Sequence, residues 1–325
     1  MLAEGLSAEI AAMPKAELHV HLEGSLRPPV VSALAARHGV TLSEQEVHSR
    51  YAYSSFTEFI DSFKWVTSFL REPADFAVVA SDLAGQLLSE RVIYAEVTLS
   101  AGVMLLRKQD PRANFEAILE AVEPFESKGL RLNWIFDSVR QFGPELAQRV
   151  VECAKQCCSP RIVAFGIGGD ELSVAAKEFC RVYDTASRCG LHRLIHAGEI
   201  GGPEKIREAV ELLGVERVGH GIAATHDASL MDLLASRRIV LEVCPSSNLR
   251  TGALAAQLRK TEPTIREHPL PKLLRHGIPV VLSTDDPAMF HTSLTKEYEN
   301  AQAMGLAETE LKQLVSHSFD YAFSG

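Results

Sequence analysis

Apolar residues recur along the chain in eight short runs, each bounded by polar or turn-forming residues. The runs cover residues 18–22, 92–99, 132–139, 162–167, 192–195, 217–220, 239–243 and 279–283. Most are continuously apolar, which is typical of parallel strands buried on both faces. Segments of helical periodicity separate them; Ile206, Val210 and Leu213 share one face between Pro203 and Gly214. The pattern predicts an α/β fold with eight parallel strands.

Eight alternating strands and helices fit either a closed barrel or an open doubly wound sheet. Polar residues at the ends of the apolar runs favour the barrel. They are Glu23, Gly169, Asp170, Glu199, His220, residues 246–248, Asp285 and Asp286. In a barrel the carboxyl ends of all strands meet at one mouth, whereas an open sheet would separate the first from the last. We therefore expect a (β/α)8 TIM barrel, with residues 1–325 as a single domain.

One connection is too long for an ordinary link between strands. Residues 27–91 lie between the first two predicted strands and contain apolar residues at helical spacing: Phe56, Phe59, Ile60, Phe63, Val66, Thr67 and Leu70. We expect a helical insertion here. The pattern leaves two interpretations open, a helix packed on the barrel and a lid over its mouth.

Composition narrows the class of partner. The chain has 325 residues, a formal net charge of −9 and six cysteines without a Cys-x-x-Cys pair. The acidic balance argues against nucleic acids and anionic membranes, because phosphate binding relies on clustered Lys and Arg. No apolar run approaches the roughly 18 residues of a membrane span, and residues 1–13 do not resemble a secretion signal. We expect a cytoplasmic protein with a small-molecule partner; the oligomeric state is not indicated.

The chain's twelve histidines include a candidate metal site. His19 and His21 alternate on a predicted strand, so both imidazoles face the same way. His196 and Asp285 come at the ends of later strands. Three imidazole nitrogens and one carboxylate suit a first-row divalent ion, with zinc the leading candidate. A His-x-His pair alone would be weak support; the four residues together predict the site.

Two further residues fit acid–base chemistry beside such a metal. Glu199 follows His196 by three positions and is a candidate proton donor, the alternative being a surface carboxylate. His220 could orient or deprotonate a metal-bound water, the alternative being a satisfied core histidine. Adjacent residues on an extended chain point in different directions, so one of Asp285 and Asp286 can bind metal while the other reaches substrate.

Six motifs in a fixed order resemble the adenosine and adenine deaminases of the amidohydrolase superfamily. They begin at residues 14–25 (PKAELHVHLEGS) and continue with 168–171 (GGDE), 196–199 (HAGE), 219–221 (GHG), 244–248 (CPSSN) and 283–287 (STDDP). The resemblance spans nearly the whole chain and implies the same barrel. It implies a single zinc ion held by His19, His21, His196 and Asp285.

The resemblance also implies a reaction, hydrolytic deamination of a 6-aminopurine by metal-activated hydroxide attack at C6. Glu199 would protonate ring nitrogen N1, His220 would assist the hydroxide, and Asp285 is expected to be a catalytic residue as well as a metal ligand. Among the substrate contacts, Gly169 would donate its N–H to N3 and Asp286 would meet N7. His21 and Glu23 are also expected beside the substrate.

The substrate itself is left open among adenosine, adenine and aminodeoxyfutalosine. Glu23 stands where adenosine deaminase has an Asp that meets the ribose, and residues 97–102 match neither the adenosine nor the adenine enzymes closely. Aminodeoxyfutalosine carries a carboxyphenyl ketone, so its enzyme would need a cation; Arg140 and Lys64 are candidates, with plain surface charges as the alternative. Another mononuclear amidohydrolase and a catalytically inactive purine-binding protein are the competing interpretations.

Overall fold

The computed structural model describes residues 6–53 and 56–323, except for the side chains of Phe56 and Thr57. Its centre is a parallel barrel of eight strands in sequence order. The strands are β1 Lys15–His21, β2 Val92–Leu99, β3 Arg131–Val139, β4 Ile162–Gly168, β5 His192–Ala197, β6 Arg217–His220, β7 Val240–Val243 and β8 Val280–Leu282. The barrel closes where the His21 N–H donates to the Asp285 carbonyl (2.8 Å) and the Asp285 N–H to the His19 carbonyl (2.9 Å). The predicted TIM barrel is confirmed.

Helices surround the barrel and cover its mouth. They are α1 Ala8–Ala12, α2 Pro28–Arg37, α3 Glu44–Arg50, α4 Phe56–Thr67, α5 Pro73–Ser89, α6 Ala101–Leu106, α7 Pro111–Glu126, α8 Gly143–Cys157, α9 Cys180–Arg188, α10 Pro203–Leu212, α11 Ala228–Arg237, α12 Pro245–Arg250, α13 Ala253–Leu258, α14 Leu270–Arg275, α15 Pro287–Phe290, α16 Leu294–Ala303 and α17 Glu308–Asp320. Short 3-10 turns lie at Glu23–Ser25, Arg140–Phe142, Ala176–Phe179, Ile222–His226 and Ile265–Glu267. Within the described ranges, none of these helices is both long and apolar enough to cross a membrane.

Local sequence signals account for several element boundaries. Pro203 begins α10, and Gly214 follows its end at φ +60°, a conformation that glycine adopts without strain. The Asp227 side chain caps α11 by accepting the Leu230 N–H at 3.1 Å. β1 begins three residues earlier than predicted because Lys15 is tolerated inside: its ammonium donates to the carbonyls of Ala11 and Met13 (3.2 and 3.0 Å).

The helices pack on the outside of the barrel through large apolar side chains. Phe115 of α7 meets Trp134 and Phe136 of β3 edge to face, with ring centroids 5.9 and 5.2 Å apart, and all three are buried. Such geometry adds to the stabilisation from burial itself. β4 is buried along its whole length, as expected for a strand with the barrel interior on one face and helices on the other.

The predicted insertion is present as α2 to α5, between β1 and β2. In α4, Phe59 packs against Phe290 of α15, with ring centroids 5.1 Å apart. Just before α4, the Tyr53 hydroxyl donates to the Met289 carbonyl at 2.5 Å. Because α15 follows β8 directly, α4 lies over the mouth of the barrel, where a lid would be. Phe56, part of the predicted apolar face, has a side chain outside the described residues; the single-domain interpretation stays a prediction.

Candidate metal centre

β1 supplies two of the predicted metal ligands. His19 and His21 face the same side of the strand, and their ring centroids are 5.3 Å apart. His19 is buried, whereas the His21 side chain is 13% exposed. Both Nε2 atoms approach one oxygen of Asp285, at 3.5 Å for His19 and 3.2 Å for His21. The alternation expected of a strand therefore brings both imidazoles to the end of β8.

His196 completes the group of three imidazoles from the other side of the barrel. It lies inside β5, which runs two residues further than predicted, and its ring centroid is 4.7 Å from that of His19. Gly219 on the neighbouring strand makes room for both rings. A Cβ there would lie 2.9 Å from His19 Cε1 and 3.3 Å from His196 Cγ, so a larger residue would displace the imidazoles.

Asp285 occupies a strained position at the end of β8. Its φ is +63°, in the left-handed region that only a few non-glycine residues adopt. The Ser247 hydroxyl donates to its Oδ2 at 2.6 Å. Burial raises the pKa of Asp285, but contacts with His19 and His21 outweigh it and hold that pKa well below its ordinary value. An ionised carboxylate is thus fixed among the histidines.

These residues fit a single divalent ion. His19, His196, His220 and Asp285 are all buried, and each offers a ligand atom within 4.8 Å of the others; His21 reaches the same carboxylate. Within the described residues, His19 Nε2, which faces Asp285, is buried without a hydrogen-bond partner. Imidazole nitrogens and a carboxylate oxygen that gather in this way suit Zn²⁺. The predicted ligands are brought together, with His220 beside them.

A buried carboxylate outside the mouth orients His19. Glu242 of β7 lies 2.6 Å from His19 Nδ1 through its Oε2, and its other oxygen is 2.6 Å from Arg217 Nε. Burial raises the pKa of Glu242, but Arg217 and His19 outweigh it and keep that pKa below its ordinary value. The carboxylate therefore accepts a hydrogen bond from the Nδ1–H, which leaves Nε2 available as a metal ligand. Arg217 also pairs with Glu96 of β2, and all four side chains are buried.

Glu199 lies beside the metal ligands on the loop after β5. Its Oε2 is 3.5 Å from His220 Nε2, and its Oε1 accepts from the Thr251 hydroxyl at 3.4 Å. Burial, reinforced by the nearby charge of Asp285, raises its pKa to about 8. A carboxyl group that is protonated at neutral pH and faces a cleft can donate a proton. The Glu199 side chain is 17% exposed and lies beside the ligand group, which favours a role in the site over a surface carboxylate.

A chain of hydrogen bonds fixes the protonation of His220. The Leu270 N–H, which can only donate, points at His268 Nδ1 (3.1 Å), so the His268 proton is on Nε2. That proton faces Asn248 Oδ1 (3.1 Å), and the amide Nδ2 then donates to His220 Nδ1 (3.0 Å). Burial lowers the pKa of His220 to about 4 and that of His268 to about 3. Neutral His220 consequently carries its proton on Nε2, which faces Glu199 and the ligand group.

Asp286 points into the mouth, away from its neighbour Asp285. It is buried, and its Oδ1 has no hydrogen-bond partner among the described residues. Burial, together with the charge of Asp285, raises its pKa well above the ordinary value. Gly24 permits this position: a Cβ there would lie 1.8 Å from Asp286 Oδ1. The predicted division of roles between the two aspartates agrees with their different surroundings.

The two other predicted substrate contacts also follow strand ends. Gly169 comes directly after β4 with φ +87°, a conformation that favours glycine. Glu23 follows β1 and is buried; one oxygen accepts the Ser100 N–H at 3.0 Å, and the other has no partner among the described residues. Burial raises the pKa of Glu23, and the positive charge of Arg107 opposes that shift.

Sequence reasoning missed the residues that support this site from behind. Glu171 accepts the N–H groups of Gly198 (2.7 Å), Ile200 and Gly201 (both 2.5 Å), so it shapes the loop that carries Glu199. Glu242 and His268 were also overlooked. A charged residue inside an apolar strand, as at Glu242, is the signal that could have found the first of them.

The two candidate cations for a substrate carboxylate prove different from each other. Arg140 is buried rather than a surface charge, and its terminal nitrogens donate to the carbonyls of His196 (3.0 Å) and Val174 (3.4 Å). Lys64 is exposed on α4. Arg140 therefore ties the ends of β3 and β5 together through Nη1 and Nη2, whereas its buried Nε has no hydrogen-bond partner among the described residues.

Comparison with known proteins identifies relatives along the whole barrel. Residues 14–324 match the family model described as adenosine deaminase. An aminodeoxyfutalosine deaminase from Streptomyces coelicolor is 37% identical over 98% of this chain and 82% of its own length. An adenine deaminase from Chelativorans sp. is 34% identical over 95% of this chain and 93% of its own. The crystal structure of an adenine deaminase from Arthrobacter aurescens superposes with a TM-score of 0.88 at 28% identity, covering 97% of this chain and 95% of that one.

Proposed function

Because the chain belongs to the adenosine deaminase family, we propose that it hydrolyses a 6-aminopurine nucleoside, releasing ammonia and leaving the 6-oxopurine. Membership makes the chain a metal-dependent aminohydrolase. The substrate is proposed as adenosine or an aminodeoxyfutalosine-type nucleoside. The latter is what the Streptomyces coelicolor relative is named for.

His19, His21, His196 and Asp285 would hold the metal, which we propose to be Zn²⁺. Zinc in such a site lowers the pKa of water to about 7, which supplies a hydroxide nucleophile at neutral pH. The chain's own part is to fix these four donors in place. Glu242 does this for His19 and Ser247 for Asp285, through bonds of 2.6 Å in each case.

Glu199 would protonate purine N1 as the oxygen nucleophile adds to C6. The observation that carries the proposal is this carboxyl group, which lies 3.5 Å from His220 Nε2 at the edge of the ligand group and whose pKa is raised by burial. Protonation of N1 makes C6 more electrophilic and keeps negative charge from building up on the ring, while the charge left behind is carried by the Glu199 carboxylate. Glu171 holds the loop that aims Glu199.

His220 would donate a hydrogen bond from Nε2 to the attacking oxygen. The hydrogen-bond chain through Asn248 and His268 supports donation over proton abstraction, since it places the single proton on Nε2. This refines the role implied by the family resemblance, in which His220 assists the hydroxide. A preorganised donor of this kind stabilises charge as it develops.

Asp286 would donate to purine N7, Gly169 would donate its N–H to N3, and Glu23 would accept from the sugar. The raised pKa of Asp286 supports a protonated donor, because N7 of a 6-aminopurine is an acceptor. Glu23 has one buried oxygen free for a hydroxyl. Adenine is the second candidate substrate, favoured by the similarity to the adenine deaminase from Chelativorans sp..

The test is ammonia release from the zinc-loaded protein with adenosine, adenine and aminodeoxyfutalosine in parallel. We expect turnover of at least one nucleoside, with a kcat/KM above that for adenine. A higher kcat/KM with adenine would favour the second candidate. Silence on all three with zinc bound would overturn the proposal; tight purine binding in that case would favour an inactive purine-binding protein, and turnover of amides or esters instead would favour another amidohydrolase.

A further inference from the structure

A surface pocket at the outer edge of the insertion is lined by three cations. Its volume is about 450 Å³, and its lining is Ser68, Leu70, Arg71, Arg107, Lys108 and Gln109. We call it the outer pocket. In a chain of net charge −9, a pocket whose charged lining is entirely basic is a local exception to the overall balance.

The cations of the outer pocket are free to bind an anion. Within the described part of the chain, none of Arg71, Arg107 and Lys108 forms an ion pair with a carboxylate. Other exposed arginines do pair: Arg37 lies 2.7 Å from Glu72, and Arg112 has a similar partner one helical turn away. Positive charges brought together without neutralising partners repel one another, and a bound anion would relieve that repulsion.

Arg107 is held in position rather than left mobile. Its Nη1 donates to the Thr67 carbonyl at 2.7 Å and its Nη2 to the Thr67 hydroxyl at 3.0 Å. A guanidinium has five N–H donors, so others stay available after these two bonds. Gln109 braces the same wall by donating to the Leu70 carbonyl at 2.7 Å. A fixed cation loses less conformational freedom when a ligand binds.

The outer pocket adjoins the proposed sugar side of the catalytic mouth. A smaller cavity of about 20 Å³ is lined by Glu23 and Ser100 at one end and shares Leu70, Arg107 and Gln109 with the outer pocket. Phe63 and Thr67 of α4 form part of the same lining. The two spaces therefore follow one another outward from Glu23, beneath α4.

We propose that the outer pocket binds an anionic group, a carboxylate or a phosphate, attached to the sugar of the nucleoside whose purine occupies the mouth. Arg107 would meet the anion first, and Arg71 and Lys108 would complete its surroundings. The inference rests on the proposed function, because it takes Glu23 as the sugar contact. It replaces Arg140 and Lys64 as the cations for such a group.

The test compares matched nucleosides by both equilibrium binding and ammonia release. One pair is an adenosine whose sugar carries a carboxyphenylthio group and the same compound with a neutral phenylthio group; the other pair is adenosine monophosphate and adenosine. Binding is measured on Glu199→Gln protein loaded with zinc, and turnover on the parent. We expect at least one anion to bind about tenfold or more tightly than its neutral partner, as charge-assisted contacts with arginine predict. The pair that shows the preference identifies carboxylate or phosphate.

Variants then assign the preference to the outer pocket. Arg107→Gln and the double variant Arg71→Gln/Lys108→Gln should each lower the ratio of anionic to neutral affinity several-fold, whereas Arg112→Gln on α7 should leave it unchanged. Arg107→Gln loses its hydrogen bonds to Thr67 and could fail to fold. In that case the double variant, which keeps Arg107, still measures the contribution of the pocket. Equal affinities within both pairs, or a preference that survives in all pocket variants, would overturn the inference.

The outcomes separate this inference from the proposed function. Turnover of the nucleosides without any preference for the anion would leave the function standing and remove the subsite. If the anionic compounds bind more tightly, the pocket variants abolish that preference and no compound is turned over, the subsite would stand and the proposed function would fall. Absence of both binding and turnover would overturn both.

Discussion

Replacing Glu242 by Gln should weaken zinc binding without touching a metal ligand. Glu242 lies 2.6 Å from His19 Nδ1, and both side chains are buried. The variant keeps the shape of the side chain but loses the charge that holds the Nδ1 proton and strengthens Nε2 as a donor. Removing such a partner of a ligating histidine costs tenfold to a hundredfold in metal affinity, or about 1.4–2.7 kcal/mol.

The same substitution also disturbs a buried ion pair, so stability needs a separate control. Arg217 lies between Glu242 and Glu96, and all three are fully or almost fully buried. Removing either carboxylate leaves Arg217 with one partner, so the loss of folding free energy should be smaller than the roughly 3–5 kcal/mol that an unpaired buried charge costs. Glu96→Gln is the matched control, because Glu96 contacts Arg217 and not His19.

The assay is zinc competition against a chromophoric chelator, with urea unfolding measured on the same samples. We expect both variants to unfold at lower urea and only Glu242→Gln to lose zinc affinity. Zinc affinity equal to the parent's in Glu242→Gln would refute the orienting role of Glu242. An equal loss in Glu96→Gln would show that the effect comes from general destabilisation of the barrel.

Three further predictions test other parts of the site. Gly24→Ala should abolish most turnover, because the new Cβ would lie 1.8 Å from Asp286 Oδ1. The control is Gly85→Ala in helix α5, where the nearest atom is 3.8 Å away, and it should keep activity and stability. Full activity in Gly24→Ala would contradict a packing role for Gly24. Removing zinc with a chelator should lower the thermal unfolding midpoint, since zinc at about 1,000 times its Kd adds about 4 kcal/mol; an unchanged midpoint in calorimetry would contradict a metal bound by the folded chain alone. Nitrogen NMR should show neutral His220 with its proton on Nε2 from pH 5.5 to 8, because its pKa is lowered to about 4 and the ring is uncharged above that value. In Asn248→Leu the fixed tautomer should be lost. A proton on Nδ1 in the parent would contradict the assignment.

The barrel was predictable because the information is local and periodic. Continuous apolar runs identify strands buried on both faces, and polar residues at their ends identify the mouth. The same argument placed His19 and His21 on one side of β1. Boundaries were less certain where a polar side chain lies within a strand, as with Lys15 at the start of β1 and His196 near the end of β5.

The supporting residues were not predictable from local pattern because their partners are distant in sequence. Glu242 meets His19 across 223 positions of chain, and Arg217 meets Glu96 across 121. The left-handed backbone of Asp285, with φ +63°, likewise depends on the closure of the barrel and not on its neighbours. The individual roles of the predicted site residues stay predictions until variants are assayed.

The most direct test of the central claim is the rate of ammonia release by the parent and by Glu199→Gln, each loaded with zinc and given the nucleoside that the parent prefers. We expect a fall of at least about a hundredfold, because a general acid is lost, with zinc content and substrate affinity within a few-fold of the parent's. Thr251→Val, which removes the 3.4 Å hydroxyl contact to Glu199 and keeps its carboxyl group, should retain most of the activity. A Glu199→Gln variant that turns over substrate as fast as the parent would contradict the role of Glu199 as proton donor.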